Sequence, residues 1–187
     1  LLDPQPGDHV LDACSAPGSK TTHLAELMRN KGEIWAVDRS LSRMNLVTAN
    51  ALRMGANSIN TLKANSLELL KIQPNWKGYF QRILLDVPCS GLGTLARHPD
   101  SRWRITPKKV EELVVLQSKL LKAMIPLLSP GGRIVYSTCT IHPAENFRQI
   151  DAFLASHSEI TLKFQKQIWP NTIKNGDGFY AAILERN

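Results

Sequence analysis

No stretch of this 187-residue chain is long and apolar enough to cross a bilayer as a helix, which takes about 20 consecutive apolar residues. Only 3 residues are cysteine, an odd number without metal-ligand spacing. That is too sparse for a disulfide framework and fits a reducing, cytoplasmic setting. The 5 histidines are scattered, so no metal site is expected. The dinucleotide fingerprint G-x-G-x-x-G is missing, as are internal repeats, heptads, low-complexity tracts and a secretory leader. Acidic residues are outnumbered, 16 Asp+Glu against 23 Lys+Arg, for a net charge of +7. Such an excess favours a polyanionic partner, nucleic acid before membrane surface, although plain solubility is served by the same charge.

What is present is an alternation of short β-rich runs and helix-length amphipathic segments. His9 to Ala13 reads as a strand, and Lys20 to Asn30 as a helix with Leu24, Leu27 and Met28 on one face. Glu33 to Val37 reads as a second strand, closed by Asp38. Ser40 caps the next helix, which Gly55 stops. Residues 58–63 read as a weaker strand, and Arg82 to Asp86 as a nearly all apolar one, as expected where both faces are covered. A loop follows over 87–105. Thr106 and Pro107 then open a long helix with Val110, Leu113, Val114, Leu121 and Met124 in its stripe. Residues 133–137 read as a strand, Pro143 starts a helix carrying Phe147, Ile150 and Leu154, and terminal strands fall near 160–162 and 179–184. Residues 171–178 read as a polar surface loop. This order predicts an α/β fold, a mostly parallel sheet with helices on both faces. The length suits one sizeable core. Leu1-Leu2-Asp3-Pro4 reads as the interior of a longer protein.

The chemistry is expected beyond the carboxyl ends of the strands. The first turn is Asp12-Ala13-Cys14-Ser15-Ala16-Pro17-Gly18-Ser19-Lys20, with Asp38 twenty residues after Gly18. Gly18 would let a ligand approach the backbone, and Asp38 could accept from ribose hydroxyls. Without a pyrophosphate fingerprint, an adenosine ligand lacking phosphates fits better, and S-adenosylmethionine is the candidate. Asn65 could face an adenine edge or cap the turn at Ser66. Cys14 reads mainly as a small hydrophobe lining the turn. Two further cysteines stand just past two strands, in Asp86-Val87-Pro88-Cys89 and Ser137-Thr138-Cys139. Paired thiols beside a carboxylate suit methylation of cytosine carbon 5. One sulfur adds to carbon 6 and activates the ring, a second group removes the carbon-5 proton, and a carboxylic acid near ring nitrogen 3 steadies the adduct. Arg97, His98, Arg102, Trp103 and Arg104, with Lys108 and Lys109 beyond, suit phosphate contacts and base stacking. Glu145-Asn146 either orients the site or opens a helix.

Asp12 to Thr21, Asp86-Val87-Pro88-Cys89-Ser90-Gly91 and Tyr136-Ser137-Thr138-Cys139-Thr140 together resemble the signature motifs of the Sun (Fmu) family of RNA cytosine-5 methyltransferases. Arg97 to Trp103 and Asp177-Gly178-Phe179-Tyr180 are most similar to its small-subunit rRNA branch. The resemblance implies a class I methyltransferase (Rossmann-like) fold, a seven-stranded sheet whose last strand runs antiparallel. It implies Cys139 as nucleophile and Cys89 as the residue aiding product release. Residues 14 to 20, Asp38, Asn65 and Asp86 fall on cofactor positions, and Asp86 also on the ring contact. Ser19, Asn65, Val87 and Ala96 depart from the usual glycine, aspartate, alanine and arginine without removing a reacting group. Small-subunit rRNA is the implied partner of a monomeric catalytic domain, whose relatives carry an N-terminal RNA-binding domain. Two other readings stay open: Cys89 as the nucleophile, or a non-catalytic cofactor- or RNA-binding domain of ribosome assembly.

Overall fold

The computed structural model describes residues 1–170 and 176–187. A seven-stranded sheet runs in the order β3-β2-β1-β4-β5-β7-β6. Its strands are β1 (His9–Asp12), β2 (Glu33–Asp38), β3 (Ile59–Lys63), β4 (Phe80–Asp86), β5 (Leu128–Thr138), β6 (Ile160–Ile168) and β7 (Phe179–Arg186). The pairs from β3 through β5 are parallel, and β7 lies antiparallel between β5 and β6. The helices are α1 (Ser19–Leu27), α2 (Leu41–Arg53), α3 (Leu69–Ile72), α4 (Ser101–Arg104), α5 (Pro107–Met124) and α6 (Phe147–Leu154).

Two-residue periodicity divides the core into layers. Leu11, Ile83, Leu85, Ile134 and Tyr136 face one side, where Leu69 of α3, Leu121 and Met124 of α5, and Ile150 and Phe153 of α6 meet them. Val10, Ile34, Leu84 and Val135 face the other, under Leu24 and Ala25 of α1. Met44 and Val47 of α2 close that face over Ala36. Strand order reverses between β1 and β4, so the carboxyl ends of these two strands open the crevice where such sheets bind ligands.

Several elements depart from expectation. The helix predicted to run to Asn30 ends at Leu27, because Arg29 and Asn30 turn left-handed with φ of 54°. Leu27 therefore misses the core. It stands half exposed beside Phe164 and Phe179, in an apolar groove of about 610 Å³ beside α1. The loop over 87–105 is not structureless, since it holds a 3-10 turn at Leu92–Thr94 and the short α4. In α5 the buried stripe passes through Gln117 and Leu120, and Leu113 and Val114 are only partly buried. In α6 the inward residues are Ile150 and Phe153, with Phe147 exposed. Both predicted caps form, the Ser40 hydroxyl accepting from the Arg43 amide and the Thr106 hydroxyl from the Lys109 amide. Most of the polar loop expected over 171–178 lies outside the described residues.

Leu85 is fully buried in β4, at the centre of the sheet. Leu85→Ala should destabilise the fold by about 3 kcal/mol, the usual cost of a cavity in a packed core. Urea unfolding monitored by circular dichroism reads this directly.

Candidate active site

Asp86 of β4 pairs in register with Ser137 of β5. The two strands therefore finish level, and the loops they feed leave side by side. The Val87 amide extends the ladder to the Ser137 carbonyl at 3.0 Å, after which Pro88 turns the chain. Cys89 and Cys139 consequently meet, with their sulfurs 3.3 Å apart.

The two thiols titrate as a pair. The hydrogen bond from Cys89 pulls Cys139 down to about 7, against the upward push of burial, and the Lys20 ammonium adds to the fall. Cys89 moves strongly upward, first because its proton is held by Cys139 and then because it is buried. One negative charge is thus shared between the sulfurs and placed on Cys139. The third cysteine differs: burial raises the Cys14 thiol to about 12, matching its reading as an inert lining residue.

Lys20, from the first turn of α1, reaches Asp86 at 2.8 Å. Burial alone would lower the Lys20 ammonium, but Asp86 outweighs it and holds it above its ordinary value. The other Asp86 oxygen accepts from the Ser137 hydroxyl at 2.7 Å. Both carboxylate oxygens therefore already hold a partner. Behind them Asp12 is wholly buried, accepting from the Thr21 hydroxyl at 2.6 Å through one oxygen and from nothing through the other.

A pocket of about 270 Å³ adjoins the thiols and is lined by Cys14, Ala16, Asp38, Asn65, Asp86 and Cys139. Asp38 accepts from the Ser40 amide at 2.9 Å and pairs with Arg43 at 3.4 Å. The Asn65 oxygen accepts from the Leu67 amide at 3.2 Å, so the capping role is real and its amide nitrogen keeps its hydrogens. Ser66 donates to the Ala13 carbonyl at 2.5 Å, tying this turn to the first. The remaining turn residues do not line the pocket. The Ser15 hydroxyl is spent on the Val37 carbonyl at 3.1 Å. Pro17 and Ser19 shape the turn, and Lys20 belongs to the thiol cluster. Gly18 is needed for another reason than ligand approach: its φ is 104°, and a Cβ there would sit 3.0 Å from the Val47 backbone. Sequence reading missed Arg43, Leu116 and Leu120 in the lining and the Ser137 hydroxyl on Asp86. The strand register is the only signal that could have found Ser137.

The predicted nucleic-acid surface divides. Arg97 pairs with Asp177 and Arg104 with Asp100, which removes two of its cations from free display. Asp177 approaches from the end of the β6–β7 connection, 80 residues away in sequence. The Arg102 Nε donates to the Pro99 carbonyl at 3.2 Å, and Trp103 is 83% exposed. His98 is also exposed. Among the described residues no cluster of potential metal ligands occurs, and no helix is long and apolar enough to cross a membrane.

Residues 1–185 match the 16S rRNA methyltransferase RsmB/F family. A Synechocystis sp. protein, named a probable ribosomal RNA small subunit methyltransferase B, is 48% identical over 100% of this chain and 45% of its own length. An Enterobacter sp. ribosomal RNA small subunit methyltransferase B is 41% identical over 98% of this chain and 43% of its own. The chain thus spans somewhat under half the length of these relatives. The structure of NSun6 from Pyrococcus horikoshii with SFG superposes with a TM-score of 0.88, at 30% identity, covering 99% of this chain and 49% of that one.

Two titrations follow from this geometry. Alkylation of Cys139 should rise through about pH 7 and then level off, since the thiolate is the reacting form. In Cys89→Ala its midpoint should move up toward 9.0, the unperturbed value, as read by mass mapping of the Cys139 peptide. Burial raises Asp12 to about 7 while the Thr21 bond opposes the rise. The folded protein then keeps a proton that the unfolded chain releases near pH 4, so stability falls between about pH 4 and about 7. Asp12→Asn should flatten that decline in urea unfolding measured across pH.

Proposed function

The chain belongs to the 16S rRNA methyltransferase RsmB/F family, and from that premise we propose that it is the catalytic domain of an S-adenosylmethionine-dependent enzyme methylating carbon 5 of a cytosine in small-subunit rRNA. The single observation carrying this reading is the pair of sulfurs 3.3 Å apart at the rim of a pocket lined by Asp38 and Asp86. Carboxylates in that lining suit ribose hydroxyls and a cationic ligand better than phosphates. Ala13, Ala16 and Leu120 offer apolar walls for a flat base. SFG, present in the related NSun6 structure, is an analogue of S-adenosylmethionine. When bound, that cofactor supplies an electrophilic methyl group.

The residues of the chain then divide the work. Cys139 adds as a thiolate to carbon 6 of the cytosine, which makes carbon 5 nucleophilic. The Lys20 ammonium lies where it can offset negative charge gathering on the ring, and Asp86 holds it there. The Asp86 carboxylate is placed to accept from the exocyclic amino group of the base. Once Cys139 is bonded to carbon, its negative charge is gone. The chief interaction holding the proton on Cys89 disappears with it. Cys89 can then lose that proton to solvent and act as the base for the carbon-5 proton. The electrons of the carbon–hydrogen bond re-form the ring double bond and expel Cys139 as thiolate. The net proton released matches conversion of a sulfonium donor to a neutral thioether.

The same hydrogen bond argues against Cys89 as nucleophile, because the resting pair leaves Cys89 protonated. Trp103, Arg102 and His98 are exposed and not tied up in ion pairs among the described residues, and are the residues offered to rRNA, Trp103 by stacking. Arg97 and Arg104 would contact phosphate only by exchanging their aspartate partners. The cytoplasm, where ribosomal subunits are made, is the expected place of action.

With unmethylated small-subunit RNA and labelled cofactor, Cys139→Ala should abolish methyl incorporation. Cys89→Ala should instead accumulate a protein–RNA adduct that survives a denaturing gel. Adduct formation by Cys139→Ala would reverse the roles, and methyl transfer undiminished in both variants would remove the two-thiol mechanism.

A further inference from the structure

Behind the two thiols stands a buried polar group that the proposed chemistry does not use. Glu145, Asn146 and Gln117 are all fully buried. Glu145 accepts from the Ser90 amide at 2.9 Å, the Ser90 hydroxyl at 2.5 Å and the Gln117 side chain at 3.0 Å. Gln117 also donates to the Pro88 carbonyl at 2.9 Å. Cys89 is thereby gripped through the residue on either side of it. Asn146 treats Cys139 the same way. It accepts from the Thr138 hydroxyl at 2.7 Å and donates to the Thr140 carbonyl at 2.9 Å. The Ser90 proton is committed to Glu145, so the Thr140 hydroxyl is the donor in its 2.8 Å contact with Ser90. That contact joins the two grips.

The head group at position 145 receives three donors and offers none, which suits a carboxylate. An amide could keep the Ser90 amide and Gln117 on its oxygen, but its N–H₂ would force the Ser90 hydroxyl to reverse and so turn the Ser90–Thr140 contact around. Among the described residues Glu145 forms no ion pair, so its charge is met by neutral donors alone. A buried charge held in that manner costs stability, and a group serving packing alone would be better replaced by an apolar one.

We propose that Glu145, Asn146 and Gln117 are positioning residues, a bracket that clamps the Cys89 loop to the Cys139 loop and so sets the spacing of the two sulfurs. The inference rests on the two-thiol reading of the site, but its test needs neither cofactor nor RNA. Iodoacetamide alkylation of the Cys139 peptide is followed against pH in the parent protein, Glu145→Gln, Ser90→Ala and Gln117→Met, with thermal melting alongside. Loosening the bracket should raise the alkylation midpoint by about one pH unit, a roughly tenfold slower reaction at pH 6. Ser90→Ala and Gln117→Met remove no charge and little volume, so they carry the test if Glu145→Gln does not fold. Lower melting temperatures with the parent's midpoint in every folded variant would overturn the proposal, since a merely structural role moves the first and not the second. A shifted midpoint with failure of the Cys139→Ala and Cys89→Ala outcomes in the full-length protein would leave the bracket standing and remove the two-thiol mechanism instead.

Discussion

The hydrogen bond from Cys89 to Cys139 is the interaction on which the site depends. It decides which sulfur carries charge, and it can form only because β4 and β5 end level. The Asp86–Ser137 register sets that level, and the apolar cores of both strands fix the register. A slip of one residue would turn every side chain of β5 to the opposite face. Tyr136 would leave the core and Ser137 would leave Asp86. The chemistry is therefore specified by the packing of Ile83, Leu85, Ile134 and Tyr136, none of which touches a reacting atom.

Charge is distributed around the pair with the same economy. Asp12, Asp38 and Asp86 all approach the crevice at the strand ends, and each is treated differently. Asp38 takes Arg43 and the Ser40 amide. Asp86 takes Lys20 and Ser137. Asp12, wholly buried, takes the Thr21 hydroxyl and is raised to about 7 by its desolvation. A charged Asp12 would compete with Asp86 for Lys20 and would oppose the thiolate on Cys139. A protonated Asp12 leaves the ammonium to Asp86 and to the sulfur.

Much of this was legible in the sequence because local rules and global fold agree. The strand ends at Asp38 and Asp86, the caps at Ser40 and Thr106, and the two thiols past their strands were all readable from periodicity and turn chemistry, whereas the fifth strand, read over 133–137, runs from Leu128 to Thr138. What could not be read are pairings made across the sheet. Lys20 looked like part of a cofactor turn, and only the fold brings it to Asp86, 66 residues later. Gln117 has no place in the apolar stripe read from the sequence, yet it is buried where the Pro88 carbonyl and Glu145 accept its side-chain N–H₂. Glu145 and Asn146 do stand at a helix start, Glu145 closing a 3-10 turn and Asn146 preceding α6, but only the fold supplies their partners at 90, 138 and 140. Leu27 failed as a core residue because periodicity cannot foresee where left-handed residues end a helix.

The long loop after Cys89 shows why one segment can serve both reaction and recognition. Its first part is rigid by construction. The Gly93 amide donates to the Cys139 carbonyl at 3.0 Å, and its carbonyl accepts from the Gly178 amide at 2.7 Å. A Cβ on Gly93 would fall 2.1 Å from the Gly178 carbonyl oxygen, so three loops meet there at a distance only glycine permits. Beyond Arg97, which Asp177 fastens from the same direction, the loop has no comparable ties among the described residues and exposes Trp103. The division follows from what each part must do. Sulfurs that share a proton need fixed spacing, whereas a surface that receives a folded polyanion gains from side chains free to adjust. The boundary falls just after the contacts that Gly178 and Asp177 make with Gly93 and Arg97.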